Sequence, residues 1–143
     1  MMHIVQYNKY IRKSKGDRKM IEYTTQSLGN GHGEHCEDIE WKMFDGETEI
    51  GEAYIIIVEG ENETAYVDWI EIYGDNKGKG LGTKFLQHLV EEYGLIYLAP
   101  NNEDAKRLYE RIGEDFYESQ YSYWPECAEW GNVDQGFGVY VIK

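Results

Sequence analysis

The sequence predicts an α/β fold with a mixed sheet, and three observations carry that prediction. Residues 38–73 hold three runs that are rich in β-forming side chains. From Leu81 onward the apolar residues recur at the spacing of a helix instead. A further strand and a second helix follow before Gly113, and two strands that flank a helix of this length are expected to form a parallel pair joined by a crossover.

The segment before residue 36 carries the weakest pattern. His3–Tyr7 is predicted as a short strand. Lys9–Gln26 is predicted as a helix that Gly16 interrupts, and Leu28–His35, with its three glycines, as a loop. This segment can therefore supply at most one helix and a loop before the central strands begin.

The central strands are predicted from alternation and turn residues. Asp38–Phe44 alternates as a strand, and the Asp-Gly pair at 45–46 marks a tight reversal into a second strand, Glu49–Val58, so the two strands form a hairpin. A polar turn over Glu59–Glu63 leads into Thr64–Tyr73. This last run is rich in β-forming residues and is predicted as a third antiparallel strand.

Two helices are predicted in the second half of the chain. Leu81–Tyr93 has its apolar residues at helical spacing, and Gly94 supplies the stop. Leu95–Ala99 is predicted as a strand, and Glu103–Ile112 as a second helix closed by Gly113. The tail offers two further strand candidates, Phe116–Tyr123 and Gly138–Ile142.

Composition predicts one folded domain. A chain of 143 residues with 41% hydrophobic side chains can bury a core, and no repeat or linker divides it, so residues 1–143 are expected to form a single domain. No apolar run approaches the length of a membrane span, and the start MMHIVQYNKY has no basic-then-apolar leader. We therefore expect a cytoplasmic protein without a membrane partner, with Cys36 and Cys127 reduced.

The chain is acidic, with a formal net charge of −13, but the charge is unevenly distributed. Six of its 14 basic residues fall between Lys9 and Lys19, which leaves the rest of the chain more acidic still. Such a surface repels a nucleic-acid backbone and favours a cationic partner, so no nucleic-acid ligand is expected. The basic stretch is interpreted as a solvated helix face or mobile segment in preference to an arm that binds an acidic partner. A homodimer is left open.

A glycine-rich turn at Gly74–Thr83 leaves a predicted strand and opens a helix. Glycine lets the backbone approach a ligand without a Cβ, and the free N–H groups at the start of a helix favour an anion. No Lys or Arg occurs over residues 43–76, and Lys77, Lys79 and Lys84 then follow within eight positions. The turn is therefore predicted to bind phosphate; the alternative is a basic loop whose glycines only cap the helix.

Two familiar nucleotide motifs do not fit this turn. A Walker turn needs Ser or Thr directly after its Gly-Lys pair, whereas Gly80 follows Lys79. The glycines at 78, 80 and 82 are spaced G-x-G-x-G, which is not the Rossmann fingerprint. The segment Lys77-Gly-Lys-Gly-Leu-Gly82 instead resembles the signature of the GNAT N-acetyltransferases, with Lys where that family has Arg or Gln.

A second motif extends the resemblance. After the strand at 95–99 comes Asn102-x-x-Ala105-x-x-Leu108-Tyr109, which resembles the Asn…Ala…Leu-Tyr helix of the same family. The two motifs stand in the family's order, and the resemblance covers residues 64–113. It implies a strongly twisted mixed sheet of the acyl-CoA N-acyltransferase type, and acetyl-CoA as cosubstrate.

The resemblance also implies roles for individual residues. The pyrophosphate of coenzyme A would lie on the turn amides, and its pantetheine arm would pair with the preceding strand where that strand splays from Leu95–Ala99. The Tyr109 hydroxyl would protonate the departing thiolate, which a phenol with a pKa of about 10 can do near neutrality. Alone, that tyrosine would be an ordinary core residue. The residues expected to bind the cofactor are Ile70, Ile72, Lys77, Gly78, Lys79, Gly80, Leu81, Gly82, Thr83, Asn102 and Ala105.

A general base must remove a proton from the attacking amine, and two carboxylates are candidates. Asp68 and Glu71 lie on the strand where the family often places a glutamate base, although neither matches that position. Regular alternation places Asp68 on the face of Ile70 and Ile72, and Glu71 on the other. Each carboxylate could instead be a surface residue, with a water relay as the base.

The acceptor is predicted to be a small-molecule or peptide amine with positive charge, such as a polyamine, an aminoglycoside, a lysine side chain or an α-amine. The alternative function is a non-catalytic acyl-CoA sensor or an acidic protein-interaction module on the same fold. Tail aromatics could form an amine pocket, although core packing explains them as well: Tyr121, Tyr123, Trp124 and Trp130, interleaved with Glu126 and Glu129. His32, His35 and Cys36 match no closed zinc pattern, so no metal site is expected.

Overall fold

Eight strands pair into one sheet in the order β1-β2-β3-β4-β5-β6-β8-β7. The structure is a computed structural model that describes residues 7–13, 20–31, 33–59, 64–115 and 139–143. Its elements in chain order are β1 (Tyr7–Lys13), β2 (Met20–Gly29), β3 (Cys36–Asp45), β4 (Thr48–Val58), β5 (Thr64–Ile72), α1 (Leu81–Tyr93), β6 (Ile96–Leu98), α2 (Glu103–Ile112), β7 (Glu114–Asp115) and β8 (Tyr140–Ile142).

The sheet is mixed, as the sequence predicts. Strands β1 to β5 follow one another as antiparallel neighbours. Strand β6 then pairs parallel to β5, because the chain crosses over through α1 between them. Strand β8 inserts antiparallel between β6 and β7. The predicted α/β class, the central hairpin and the parallel crossover are thus confirmed.

The helix predicted over Lys9–Gln26 is wrong, because β1 and β2 form an antiparallel hairpin there. Buried and half-buried residues alternate along β2, with Ile21, Tyr23 and Thr25 on the buried side. This period of two is the pattern of a half-buried strand, and pairing with β3 supplies the ladder bonds that a helix would otherwise have made internally. Strand β2 also extends to Gly29, into the predicted loop.

Helix α1 packs against the face of the sheet that carries the buried side chains of β2 and β3. His88 is buried and stacks on Tyr23 with ring centroids 3.8 Å apart, and Phe85 contacts the same tyrosine at 5.4 Å. At the end of the helix, the Trp41 indole N–H donates a hydrogen bond of 2.7 Å to the Tyr93 hydroxyl. These aromatic contacts fix the axis of α1 and therefore the position of its first turn.

Helix α2 lies on the same face of the sheet as α1. Its Tyr109 ring meets Tyr140 of β8 edge-on, with centroids 6.3 Å apart. The strand register places Tyr140 opposite Leu98, and Leu98 beside Val67, on the face that α1 covers. The first turn of α1 and the side of α2 are neighbours, because a Cβ added at Gly82 would lie 4.0 Å from Leu108 Cδ2.

Several predictions fall outside the described residues. The strand at 3–7 is described only from Tyr7, and the turn at 59–63 only at Glu59. The tail strand at 116–123 and the tail aromatics also lie outside, whereas the last predicted strand is confirmed as β8. Within the described residues, no α-helix precedes α1, although a short 3-10 turn lies at Gly74–Asn76, and no helix is long and apolar enough to cross a bilayer.

Candidate active site

Strand β5 has a bulge on one side and an open edge on the other. On the β4 side, Tyr54 pairs with Trp69 and Ile55 with Val67, so Asp68 is the extra residue of a bulge. On the β6 side, pairing stops at Val67 opposite Leu98, although β5 continues to Ile72. Among the described strands, none pairs with this edge over residues 68–72. The predicted splay between the two parallel strands is therefore present.

The bulge also changes which side chains share a face. Because Val67 pairs with Ile55 and Ile70 pairs with Ala53, both lie on the helix-covered face although they are three residues apart. The alternation of side chains along β5 is therefore interrupted at Asp68. The prediction that Asp68 shares a face with Ile70 and Ile72 no longer follows from that alternation. Trp69 and Glu71 lie on the opposite face, beside Tyr54 and Glu52 of β4.

The glycine turn leads from β5 into α1 with its first amides uncapped. Gly78 and Gly80 have φ values of 79° and 74°, a left-handed conformation that costs other residues free energy. Gly80 is the residue that precedes the helix, and no side chain caps the helix N–H groups. The turn therefore offers backbone donors and the positive end of the helix dipole to a ligand.

One cavity of about 600 Å³ collects the predicted site residues. Its lining includes the predicted strand, turn and α2 residues: Ile70, Glu71, Ile72, Lys77, Gly78, Gly80, Leu81, Gly82, Thr83, Asn102, Ala105 and Tyr109. Asp68 and Lys79 do not line it. Several residues that line it were not predicted as site residues, among them Trp69, Arg107 and Arg111.

The cavity reaches both faces of the sheet around the open edge of β5. Ile70 and Ile72 line it from the helix-covered face, while Trp69 and Glu71 line it from the opposite face. A paired β6 neighbour would close this passage, but the pairing ends at Val67. A linear ligand can therefore extend from the glycine turn to the far face of the sheet.

Asn102 and Tyr109 enter the cavity from α2. Asn102 caps the helix, since its side-chain oxygen accepts the Ala105 N–H at 2.8 Å, and its amide group donates to Asn101 at 3.0 Å. Tyr109 is only 4% exposed, and burial raises the pKa of its hydroxyl well above the ordinary value. This hydroxyl stays protonated across the neutral range and can serve as a proton donor.

The basic residues that line the cavity come from the glycine turn and from one side of α2. Lys77 lies in the turn, whereas Lys84, like Lys79, does not line the cavity. Arg107 and Arg111 contribute from α2, at the i and i+4 positions of one helix side. That spacing was visible in the sequence and could have indicated a shared surface, but nothing in the sequence placed it against the glycine turn.

The face of the sheet opposite the helices is acidic where the cavity opens onto it. Glu52 of β4 lies directly across from Glu71 of β5. Lys42 of β3 approaches two neighbouring carboxylates, Glu49 at 3.1 Å and Glu40 at 3.9 Å. Among the side chains that the structure describes on this part of the face, one ammonium stands with four carboxylates.

Two tyrosines on this face remain neutral. Tyr54 donates to Glu52 at 3.3 Å, and Tyr73 donates to Glu49 at 2.8 Å. Burial, and then the adjacent carboxylates, raise the pKa of both hydroxyls. Burial acts to raise the pKa of Glu49 too, but the hydrogen bonds from Tyr73 and Lys42 outweigh it and lower that pKa. Glu49 is therefore charged near neutrality. Trp69, 41% exposed, stands beside Tyr54 at the cavity mouth.

Of the histidine and cysteine residues near the start of β3, the structure describes His35 and Cys36. His35 is exposed and lies 3.3 Å from Glu34. Cys36, the first residue of β3, is buried, and His32 lies outside the described residues.

An uncapped glycine turn, an open strand edge and a buried tyrosine around one cavity are the features of an acyltransferase that uses coenzyme A. The chain belongs to the acetyltransferase (GNAT) family, whose model matches residues 11–113. It is an acyltransferase that depends on acetyl-CoA. The strongly twisted mixed sheet of this family is the fold that the sequence predicted.

Two solved structures resemble the chain. An IAA acetyltransferase from Bacillus cereus ATCC 14579 is 18% identical, with 73% of this chain and 77% of that chain covered and a TM-score of 0.45. A GNAT family acetyltransferase from Elizabethkingia anophelis with acetyl-CoA bound is 12% identical, with 74% and 76% covered and a TM-score of 0.45. A search of curated proteins found no match.

Proposed function

We propose that the protein transfers the acetyl group of acetyl-CoA to a primary amine of a cationic acceptor by direct attack. The observation that carries this proposal is the passage of the cavity around the open edge of β5. The phosphate-binding turn lies at one end of that passage. Carboxylates and an exposed tryptophan lie at the other.

The cofactor is oriented by the turn and by β5. Its diphosphate accepts hydrogen bonds from the amides of residues 78–83, with Lys77 adding positive charge. Its pantetheine arm pairs with the free backbone groups near Ile70 and Ile72, as an added strand would. This places the thioester in the gap between β5 and β6, within the cavity that Tyr109 lines.

Starting from an ammonium group, the reaction removes two protons from nitrogen and adds one to sulfur. Glu71 accepts the first proton, directly or through a water molecule, and so gives a neutral amine. The amine nitrogen attacks the thioester carbonyl carbon, and the carbonyl oxygen becomes an oxyanion that backbone N–H groups of β5 stabilise. The second proton passes from the nitrogen of the tetrahedral intermediate to solvent. The C–S bond then breaks, sulfur keeps the electron pair, and Tyr109 protonates it to give free coenzyme A and the amide. Tyr109 regains its proton from solvent.

Glu71 is preferred to Asp68 as the base because only Glu71 lines the cavity. The bulge at Asp68 still matters, since an extra residue increases the local twist and turns the strand away from β6. Asn102 is proposed to contact the arm from the opposite side, in addition to capping α2.

A cationic acceptor is supported by the charge of the far face. Glu40, Glu49, Glu52 and Glu71 stand there together with Lys42, the cation among the side chains that the structure describes at this place. The Trp69 ring adds an aromatic face to which an ammonium group is attracted. A diamine or polyamine can place one amine at the thioester while a second, protonated amine stays among the carboxylates.

We expect release of free thiol from acetyl-CoA to be fastest with diamines and polyamines. At equal chain length, a diamine should exceed a monoamine in kcat/KM, and added salt should reduce this advantage because it screens the carboxylates. Thiol release across an amine panel measures both. A preference for monoamines would refute the proposal of a cationic acceptor, but it would leave the acetyl transfer itself in place. Tight acetyl-CoA binding without thiol release for any amine would instead favour the non-catalytic sensor.

Replacing Glu71 with glutamine should lower kcat/KM near neutral pH by about 10²- to 10⁴-fold, the usual contribution of a general base. The deficit should shrink as the pH approaches the pKa of the amine, about 10.4 for a lysine-like group, because the amine then loses its proton unaided. A pH–rate profile of Glu71→Gln measures this, with Asp68→Asn as the comparison. If Asp68→Asn causes the larger loss, the base is misassigned.

We also propose that residues 1–143 form one domain, because a single sheet runs from β1 near one terminus to β8 near the other. A homodimer and a cytoplasmic location stay predictions of the sequence, and the chemistry above requires neither.

A further inference from the structure

We propose that Arg107 and Arg111 form a second phosphate subsite, which binds the 3′-phosphate of coenzyme A and lets the enzyme distinguish it from thioesters that lack this group. The proposal rests on the proposed function, because it requires coenzyme A in the cavity. It goes further by assigning a ligand to the flank of α2, which the glycine-turn motif does not include.

Position supports this subsite. Both arginines line the cavity from one side of α2, next to Leu108. Leu108 is also the α2 residue that approaches the first turn of α1, where its Cδ2 would lie 4.0 Å from a Cβ at Gly82. The two guanidinium groups are therefore carried by the helix flank that borders the phosphate-binding turn.

The count of charges supports it as well. Coenzyme A carries a diphosphate and one further phosphate monoester. The proposed function assigns the turn amides and Lys77 to the diphosphate, and neither Lys79 nor Lys84 lines the cavity. In a chain with a net charge of −13, two cavity-lining arginines are then left for the remaining phosphate. The planar guanidinium group can donate two hydrogen bonds to one phosphate, which a lysine cannot.

The two arginines are not equivalent. Arg107 Nη1 lies 3.1 Å from Asp104 Oδ1, an exposed pair that holds the Arg107 side chain along the helix. Arg111 forms no ion pair with any described residue and remains available to a ligand. We therefore assign the main phosphate contact to Arg111, with Arg107 beside it.

The test compares coenzyme A with dephospho-coenzyme A, which has a hydroxyl in place of the 3′-phosphate. The wild type should bind coenzyme A about 10- to 100-fold more tightly, the range expected for hydrogen bonds between charged groups. Arg111→Ala should remove most of this preference and leave the affinity for dephospho-coenzyme A unchanged. Arg107→Ala should remove a smaller part. Calorimetric titration of the wild type and the two variants with each of the two ligands gives these ratios.

Lys106→Ala is the matched control, because Lys106 is the neighbouring α2 cation, does not line the cavity, and lies 3.9 Å from Glu110. It should keep the wild-type preference. Equal weakening of both ligands by Arg111→Ala, or no weakening, would overturn the subsite. If the wild type binds both ligands equally and still turns over acetyl-CoA, only this inference fails. If it binds neither, the proposed function fails with it.

Discussion

Gly80→Asp should abolish measurable coenzyme A binding, while Gly80→Asn should retain part of it. Both side chains accept the left-handed backbone of this position, where φ is 74°, at a cost of about 1 kcal/mol. A Cβ there meets no atom within 4 Å, so the fold should survive either change. Only aspartate adds a negative charge where the diphosphate would bind, and like charges at close range cost several kcal/mol, which exceeds about 100-fold in Kd.

Calorimetric titration with coenzyme A measures the difference between the two variants, and thermal melts confirm that both are folded. The pair separates charge from shape, because asparagine and aspartate have nearly the same size. Equal affinities of the two variants would show that no phosphate lies at the turn. The assignment of the anion site, on which the rest of the mechanism depends, would then be lost.

Tyr109→Phe should lower kcat by about 10²- to 10⁴-fold, the usual contribution of general acid catalysis, and leave the Kd for acetyl-CoA nearly unchanged. The change removes only the hydroxyl, so the buried ring keeps its contact with Tyr140. Without a proton donor, the thiolate must leave as an anion into a poorly hydrated cavity. Single-turnover thiol release measures the chemical step directly.

Tyr140→Phe is the control for this prediction. Its hydroxyl donates to Glu110 at 3.2 Å, and it does not line the cavity, although its ring contacts Tyr109. The variant should keep the wild-type kcat. If both variants lose activity equally, the effect of Tyr109 is one of packing, and if neither loses activity, the thiolate leaves without help from Tyr109.

Most of the fold was predictable because its signals are local. The bounds of α2 follow from the Asn102 cap and the Gly113 stop, and α1 begins after Gly80 and ends before Gly94 as predicted. Among the described residues, 9–13 and 20–29 were not predicted correctly, because they form strands. The predicted helix was extended from the basic run at residues 9–19 into β2, whose alternation matches a strand that pairs with β1 and β3.

The candidate site was predictable in part for the same reason. Residues of the two motifs line one cavity, as the resemblance implied, apart from Lys79. The choice between Asp68 and Glu71 could not be made from the sequence, since a bulge depends on the register between two strands and shifts every later side chain. Arg107 and Arg111 were missed because their relation to the turn depends on how α2 packs.

The sequence by itself determined the glycine turn, the two helices and the three central strands, because backbone freedom, capping and periodicity act within a few residues. The tertiary structure alone decided where β5 parts from β6, which carboxylate reaches the cavity, and which cations accompany the turn. Those features depend on strand register and helix packing between residues far apart in the chain, and no local pattern encodes them.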